Sequence, residues 1–432
     1  MVFKPDMSLI PSSKIFQFDK IPTKIFNLDG INEAKSVPNL GGFSNFLKVF
    51  TRISYYIICF PWKLEKDVRG PIDWKYVPRG NKIQKVLCAF LHFLALSKFV
   101  AEVRTDSSHK FGANPVDYLY LFQSAATLWN YIFLTYFIFF RMSTVLPEVL
   151  NKCENMVKKP VWKLTGYLHK ACSHFLITVF TLVSTSRCFI EFILYNPNEN
   201  EQQFFHTKFH NDVISLKQTL TRKIPWISYF YDDLTTDLVQ DNVTSDWSDV
   251  LLGCFDILSN FAGILIPFCG DWFTLVIAFT LWVPSYHFYK VVEEDKLVVP
   301  EILEMYEDLK TLSDLMNVAF SKIMLPYAAD VMFFYATHLL DIVASKTSPA
   351  KLYLALAFLV VMLTILLLAD ASRRTDGLRK WLMKRHVRKA MENDPLLFIS
   401  LTQDAASHPV GLSGDGIFIY NYNFVFGVSY FL

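Results

Sequence analysis

The feature that most limits the fold of this chain is a series of long runs that carry almost no charge. The clearest, residues 352–369, reads LYLALAFLVVMLTILLLA and contains no Lys, Arg, Asp or Glu. A helix needs about 20 mainly apolar residues to cross the core of a bilayer. The composition agrees, because 52% of the 432 residues are hydrophobic and 19% are charged, against about 25% charged in soluble domains. We therefore predict an all-α, polytopic membrane protein.

Several runs qualify as crossing helices, and together they predict seven spans: residues 83–103, 118–140, 171–195, 250–282, 318–343, 352–369 and 416–432. The fourth is longer than one crossing requires, so it is expected to tilt or to extend beyond the bilayer. Pro326 predicts a kink in the fifth. A further apolar stretch, residues 43–62, contains Lys48 and Arg52 and is predicted to be an amphipathic helix on the membrane surface.

Charge in the connecting segments predicts the orientation. Residues 373–389 hold eight Lys or Arg and one acid, whereas the loop 196–249 holds nine acids and four bases. Basic segments remain in the cytoplasm, and the loop also contains the glycosylation sequon at Asn242, which requires an outside location. The pattern predicts a cytoplasmic N-terminus, an extracellular C-terminus and a multi-pass protein of the plasma membrane.

These assignments divide the chain into three parts. Residues 1–80 form a cytoplasmic segment that ends in the amphipathic helix. Residues 81–370 contain the first six spans, with the extracellular loop 196–249 and a cytoplasmic helix predicted over 286–317. Residues 371–432 contain a basic cytoplasmic helix and the seventh span.

Polar side chains within the predicted spans are the candidates for a binding site, because such groups are costly in lipid and face a cavity or one another. Asp330 and His338 are eight residues apart on one helix face, and Asp256 and Asn260 are four apart. We predict a ligand-binding cavity formed by Gln123, Trp129, Asp256, Asn260, Asp330, Tyr335 and His338. The alternative is that each of them bonds to a neighbouring helix across a dry interface.

The chain offers no motif for catalysis or metal binding. CxxC pairs, HExxH, GxSxG and Walker loops do not occur, so we predict a protein that is not an enzyme and that uses no cofactor or metal. The basic segment 373–389 borders a predicted span, and we interpret it as an orientation anchor against membrane lipid rather than as a nucleic-acid site.

Three segments of the last third carry a resemblance. They are VVPEILEMYEDLKTLSDL before the fifth span, NDPLLFISLTQDAASHP, and VGLSGDGIFIYNYNFVFGV at the start of the seventh. In this order they resemble the insect gustatory receptors of the arthropod chemoreceptor superfamily. The signature of that family is Thr-Tyr, five apolar residues and Gln-Phe. This chain has SYFL at 429–432, so Tyr430 matches and Ser429 replaces Thr. The seventh helix is expected to be truncated, with a diverged, natively short C-terminus as the alternative.

The resemblance implies the insect chemoreceptor ion-channel fold and a tastant-gated, non-selective cation channel. In that family four subunits, identical or different, place their seventh helices around a central pore. Asn423 and Tyr430 are seven residues apart and share a face of the seventh span, with Phe426 between them, so we assign the pore wall to Asn423, Phe426, Ser429 and Tyr430. The alternative is that this face packs against the fifth helix.

The expected ligand is a small-molecule tastant. A sugar is the first expectation, because acidic and amide side chains suit polyols. A bitter-type gustatory receptor and an odorant receptor of the same superfamily are the alternatives within this fold. A secondary transporter with Asp256, Asp330 and His338 as its coupling site is an alternative outside it, as is a G-protein-coupled receptor.

Overall fold

The computed structural model describes residues 45–68, 74–108, 115–163, 247–294, 298–344, 349–375, 377–392, 395–407, 410–424 and 427. Long helices dominate this part of the chain. The helices are α1 Asn45–Tyr56, α2 Lys82–Ser108, α3 Pro115–Tyr136, α4 Met142–Lys158, α5 Pro160–Lys163, α6 Trp247–Glu294, α7 Val299–Ala344, α8 Pro349–Thr375, α9 Gly377–Leu382, α10 Arg385–Ala390 and α11 Pro395–Ser407. A π-helical turn, Phe137–Arg141, joins α3 to α4.

The centre of the bundle is α6, a continuous helix of 48 residues. Its segment Leu265–Glu294 is long and apolar enough to cross a membrane, and 83% of its apolar window is buried. In Lys82–Val100 of α2 the buried share is 28%, so α2 lies at the periphery with an exposed apolar side. α2, α7 and α8 all pack against α6. Pro267 and Pro284 lie within α6 without ending it.

Three described segments meet the length and composition of a membrane span: Lys82–Val100, Tyr118–Lys158 and Leu265–Glu294. They overlap the first, second and fourth predicted spans, but the second segment extends to Lys158 and the third begins at Leu265 rather than at residue 250. The fifth and sixth predicted spans lie within the continuous helices α7 and α8. The third, residues 171–195, lies outside the described residues, as does most of the second half of the seventh.

The position of α1 differs from the surface helix predicted over 43–62, because α1 is buried in the bundle. Phe46 is almost fully buried, and its ring lies 6.0 Å from that of Phe279 in α6. Of the two charges that suggested a surface position, Lys48 pairs with Glu154 of α4, and Arg52 lies on the exposed side of α1. Burial alone would lower the pKa of Lys48, but the carboxylate raises it above its ordinary value.

Two short antiparallel hairpins depart from the all-α prediction. The first pairs β1, Lys63–Val68, with β2, Trp74–Arg79. It packs on α4, where the backbone N–H of Tyr76 donates to Asn151 Oδ1 at 2.9 Å. Strands of six residues give only a brief alternating pattern, which the much longer apolar runs of this sequence obscure.

The helix predicted over 286–317 is two helices, since α6 ends at Glu294 and α7 begins at Val299. Pro300 is accommodated in the first turn of α7, where its missing N–H leaves no bond unmade. The Glu301 carboxylate accepts a hydrogen bond from the backbone N–H of Val298 at 3.3 Å and so caps that turn.

The region 371–432 also differs from its prediction. The single basic helix is three short helices, α9 to α11, and the seventh span does not begin as a helix at Gly416. Instead β3, Ser413–Gly414, pairs with β4, Phe418–Ile419. The turn between them has Asp415 and Gly416 at φ 49° and 76°. Asp-Gly favours such left-handed turn conformations, and this chemistry overrides the apolar character of the segment.

Candidate functional site

A partly open cavity of about 240 Å³ lies between the described helices α2, α3, α6, α7 and α8. One part of its wall is aromatic and includes Phe99, Phe268 and Phe334. The other part is polar, and its side chains converge from α3, α6 and α7: Gln123, Ser124, Thr127, Asn130, Asp271, Thr274 and Asp330. An apolar enclosure with a few convergent polar groups is typical of a small-molecule site.

Asp330 of α7 is a polar group of the cavity with two hydrogen-bond partners on α3. The Thr127 hydroxyl donates to Asp330 Oδ1 at 2.6 Å, and Asn130 Nδ2 donates to Oδ2 at 2.8 Å. Both donors lie on α3, so the carboxylate joins two helices that face each other across the cavity. A carboxylate away from bulk water needs such partners, since burial without them costs several kcal/mol.

A second polar contact joins the same two helices two turns farther along α7. The hydroxyl of Thr337 lies 2.6 Å from Gln123 Oε1. Gln123, Thr127 and Asn130 are spaced four and three residues apart and therefore share one face of α3. The polar face of α3 and the polar face of α7 thus form both a helix–helix contact and a cavity wall.

Glycine residues in α6 allow the neighbouring helices to approach the cavity closely. A methyl group on Gly270 would lie 2.7 Å from a terminal carbon of Leu134 in α3. One on Gly263 would lie 2.6 Å from Cδ of Lys98 in α2. Pro267 lies between these glycines and also lines the cavity, so this segment of α6 carries no bulky side chain at its closest contacts.

The structure brings together two of the predicted ligand-binding residues, Gln123 and Asp330. Trp129 lies elsewhere: 39% of it is exposed, and its ring packs edge-on against Phe133 of the same helix. The other predicted positions lie on described helices, but their side chains are outside the described part. They are Asp256 and Asn260 on α6, and Tyr335 and His338 on α7.

Thr127, Asn130 and Asp271 belong to the cavity although the predicted set of ligand-binding residues left them out. Asn130 and Asp271 are polar residues inside predicted spans, so the same reasoning could have included them. Thr127 gives a weaker signal because a single threonine barely lowers the hydropathy of a span. Only its place on the face shared with Gln123 and Asn130 could have indicated it.

The segment that leads toward the predicted pore helix is attached to α7 at positions N-terminal to Asp330. Asn317 Nδ2 donates to the carbonyl of Gly411 at 2.8 Å, and its Oδ1 accepts from the N–H of Ser413 at 2.7 Å. The buried Tyr420 donates its hydroxyl proton to the carbonyl of Met324 at 2.7 Å. One helix therefore carries both Asp330 and the attachment of the β3–β4 hairpin.

Of the predicted pore residues, Asn423 is described and exposed. Phe426, Ser429, Tyr430 and the sequon at Asn242 lie outside the described residues. Within the described ranges, no group of three or more His, Cys, Asp or Glu side chains is arranged to hold a metal ion.

Comparison with known proteins rests on structure alone, since no protein-family model and no curated sequence matches the chain. The chain is similar to the insect olfactory receptor OR5 from Machilis hrabei in complex with eugenol, with a TM-score of 0.52 and 13% identity over 90% of this chain and 96% of that one. For OR5 without eugenol the TM-score is 0.51, with 14% identity over 89% and 96%. At this identity the likeness establishes the fold alone: the chain folds as an insect olfactory receptor does.

Proposed function

We propose that the protein is a gustatory chemoreceptor: a non-selective cation channel of the plasma membrane that opens when a tastant binds in the cavity around Asp330. The observation that carries the proposal is the combination of this fold with a partly open, partly polar cavity between the helices. The similar OR5 structure is that of an olfactory receptor, determined with eugenol. A small-molecule receptor is therefore the function that the geometry supports best.

A sugar is the ligand class that we propose. The carboxylate can accept hydrogen bonds from a polyol, and amide and hydroxyl groups can both donate and accept, while an aromatic wall can stack on the apolar face of a sugar ring. The volume of about 240 Å³ is below the roughly 300–1,000 Å³ of sites for drug-sized ligands. We expect a single ring rather than an oligosaccharide.

Ligand binding would reach the pore through α7. A ligand that hydrogen-bonds Asp330 competes with Thr127 and Asn130 and so changes how α7 packs on α3. Because Asn317 and Met324 of the same helix hold the β3–β4 hairpin, such a shift would move the residues entering the pore helix. We propose that four subunits place Asn423, Phe426, Ser429 and Tyr430 around the pore, with Phe426 as the apolar constriction.

A second candidate is an odorant-type receptor of the same fold. The aromatic part of the cavity, formed by Phe99, Phe268 and Phe334, would suit a phenolic ligand of the kind named for the OR5 complex. The two candidates differ in which part of the wall determines affinity.

The test is whole-cell recording in cells that express the full chain, with panels of sugars, bitter compounds and phenolic odorants. The matched variants are Asp330→Asn and Asp314→Asn, both on α7, the second at an exposed position. We expect sugar-evoked cation current in the wild type and the Asp314 variant. We expect at least a tenfold higher half-maximal concentration in the Asp330 variant at equal surface expression, since hydrogen bonds to a charged group contribute about 1.5–3 kcal/mol.

Other outcomes separate the alternatives. Responses only to phenolic compounds, with Asp330→Asn neutral, would support the odorant-type receptor. Uptake without channel-sized current would support a transporter. Silence to every ligand class at normal surface expression would contradict the receptor proposal.

A further inference from the structure

A second concave site lies at the N-terminal end of α2, away from Phe99, the residue of α2 that lines the cavity. It is a surface groove of about 750 Å³ between the end of α1, the β1–β2 hairpin and the start of α2. We call it the hairpin groove, and its wall is formed by Tyr55, Trp62, Lys63, Glu65, Arg79 and Asn81. Nothing in the proposed receptor mechanism uses it.

The hairpin groove carries an excess of positive charge. Lys63 and Arg79 are opposite each other in the strand register, and both contact Glu65, at 2.6 and 3.3 Å. The ammonium group of Lys85 lies 3.5 Å from the ring centre of Trp62 at the same place. Three cations therefore lie at or beside the groove, two of them contact Glu65, and 60% of the Arg79 side chain is exposed. An anion can approach this set directly.

An exposed apolar stripe begins next to the groove and runs along α2. Ile83 and Val86 are each 68% exposed, and Phe90 and Phe93 continue the stripe. These residues are three or four apart and share one helix face. The helix segment Lys82–Val100 is apolar enough to span a bilayer, so the groove lies where the apolar surface ends and charged residues begin.

Aromatic side chains at this level agree with a membrane boundary. Trp62 and Tyr55 line the groove, and Tyr56 beside them is 67% exposed. Trp and Tyr are enriched where a membrane protein meets the headgroup region. Basic residues at the end of a span attract the anionic lipids of the cytoplasmic leaflet.

We propose that the hairpin groove binds the headgroup of an anionic phospholipid, whose acyl chains lie along the stripe of α2. The phosphate would contact Lys63, Arg79 and Lys85, and the headgroup would lie against Trp62 and Tyr55. The two parts of the site match the two parts of the lipid: a cationic groove and an apolar helix face that continues from it. The assignment is independent of the ligand that opens the channel.

The experiment measures lipid binding by the detergent-solubilised full chain, using fluorescent phosphatidylserine and fluorescent phosphatidylcholine. The test variant combines Arg79→Gln with Lys85→Gln. The control combines Lys66→Gln with Lys75→Gln, which removes two exposed positive charges from the same hairpin outside the groove. We expect the wild type and the control to bind phosphatidylserine about tenfold more tightly than phosphatidylcholine, and the test variant to lose that preference.

Soluble glycerophosphoserine and inorganic phosphate serve as competitors and distinguish a lipid from a free anion. Competition by either at the concentration effective for the lipid would overturn the lipid assignment, as would equal binding of the two lipids by the wild type. An equal loss of the phosphatidylserine preference in the test and control variants would assign the effect to net charge alone. That result would also overturn the proposed lipid site. If the test variant does not elute as a monodisperse species, the charge-preserving Arg79→Lys with Lys85→Arg is expected to retain the preference.

Discussion

Two carboxylates of α7, Asp308 and Asp330, show how position decides the role of one residue type. Asp330 has neutral partners on α3 and lines a cavity. Asp308 is buried and has cationic partners: Lys152 and Lys159 lie 2.9 and 2.7 Å from its oxygens, and Trp162 Nε1 donates at 3.2 Å. The first arrangement leaves room for a ligand, while the second joins α7 to α4 and α5.

Replacing Asp308 is expected to destabilise the fold without touching the cavity. Asp308→Asn leaves the Lys152 ammonium group without this carboxylate and leaves Lys159 with Glu304 alone, at 2.9 Å. Breaking a buried pair costs roughly 3–5 kcal/mol. Because Lys152 and Lys159 remain partly exposed, we expect a smaller loss, about 2 kcal/mol, seen as a lower melting temperature of the detergent-solubilised protein. Glu307→Gln, at the exposed neighbouring position, is the control and is expected to leave the melting temperature unchanged.

The Asp308 carboxylate also predicts a pH dependence of the stability of the fold. Burial raises the pKa of Asp308, but hydrogen bonds from Lys159 and Lys152 outweigh burial and lower it below the ordinary value of 3.8. A depressed pKa stabilises the folded state fully above the ordinary value, and this stabilisation is lost as the pH falls through the folded pKa. We expect the melting-temperature difference between wild type and Asp308→Asn to be constant above about pH 5 and to shrink below pH 3.8. A constant difference down to pH 3 would contradict this.

Among the elements, α7 combines the functions that the receptor proposal needs. It faces α3 at the cavity, packs on α6, and holds the β3–β4 hairpin at Asn317 and Met324. A continuous helix with contacts at both sites is a physical route for coupling between them. The hairpin itself is braced by stacked rings, since Phe418 and Phe424 have centroids 4.4 Å apart.

Weakening the attachment of the hairpin is expected to change gating more than binding. Asn317→Ala removes two hydrogen bonds to the chain at Gly411 and Ser413, each worth about 1 kcal/mol. We expect a lower maximal current at saturating ligand, with surface expression within about twofold of the wild type. Lys322→Ala, exposed on the same helix, is the control. An unchanged maximal current in the Asn317 variant would exclude this attachment from the coupling route.

The predicted orientation is a property of the whole molecule, and it can be tested at positions that are far apart in the sequence. Epitopes at the N-terminus and at Arg379 are expected to be accessible only after the cells are permeabilised. Asn242→Gln is expected to increase gel mobility by removing one glycan. Detection of either epitope on intact cells would reverse the assignment.

Assembly is a second property of the whole molecule. A central pore formed by one helix per subunit requires several copies, and we expect native mass spectrometry of the solubilised protein to show four. A monomer that still conducts ligand-evoked current would exclude a pore shared between subunits.

The sequence by itself determined the helical, membrane-spanning character of the chain, because apolar runs of span length leave a helix as the structure that satisfies its own backbone in lipid. It also indicated Gln123 and Asp330 as candidate cavity residues, since polar groups stand out inside such apolar runs. These conclusions depend on local composition, which a single segment displays without its neighbours.

Only the tertiary structure decided which polar groups meet and where the chain turns. Trp129 and Gln123 lie on the same helix, yet one points outward and the other lines the cavity, because α7 packs against just one face of α3. The burial of α1 depended on Glu154, more than a hundred residues away, which neutralises Lys48. Pairings of this kind are properties of packed helices, and no local window of sequence contains both partners.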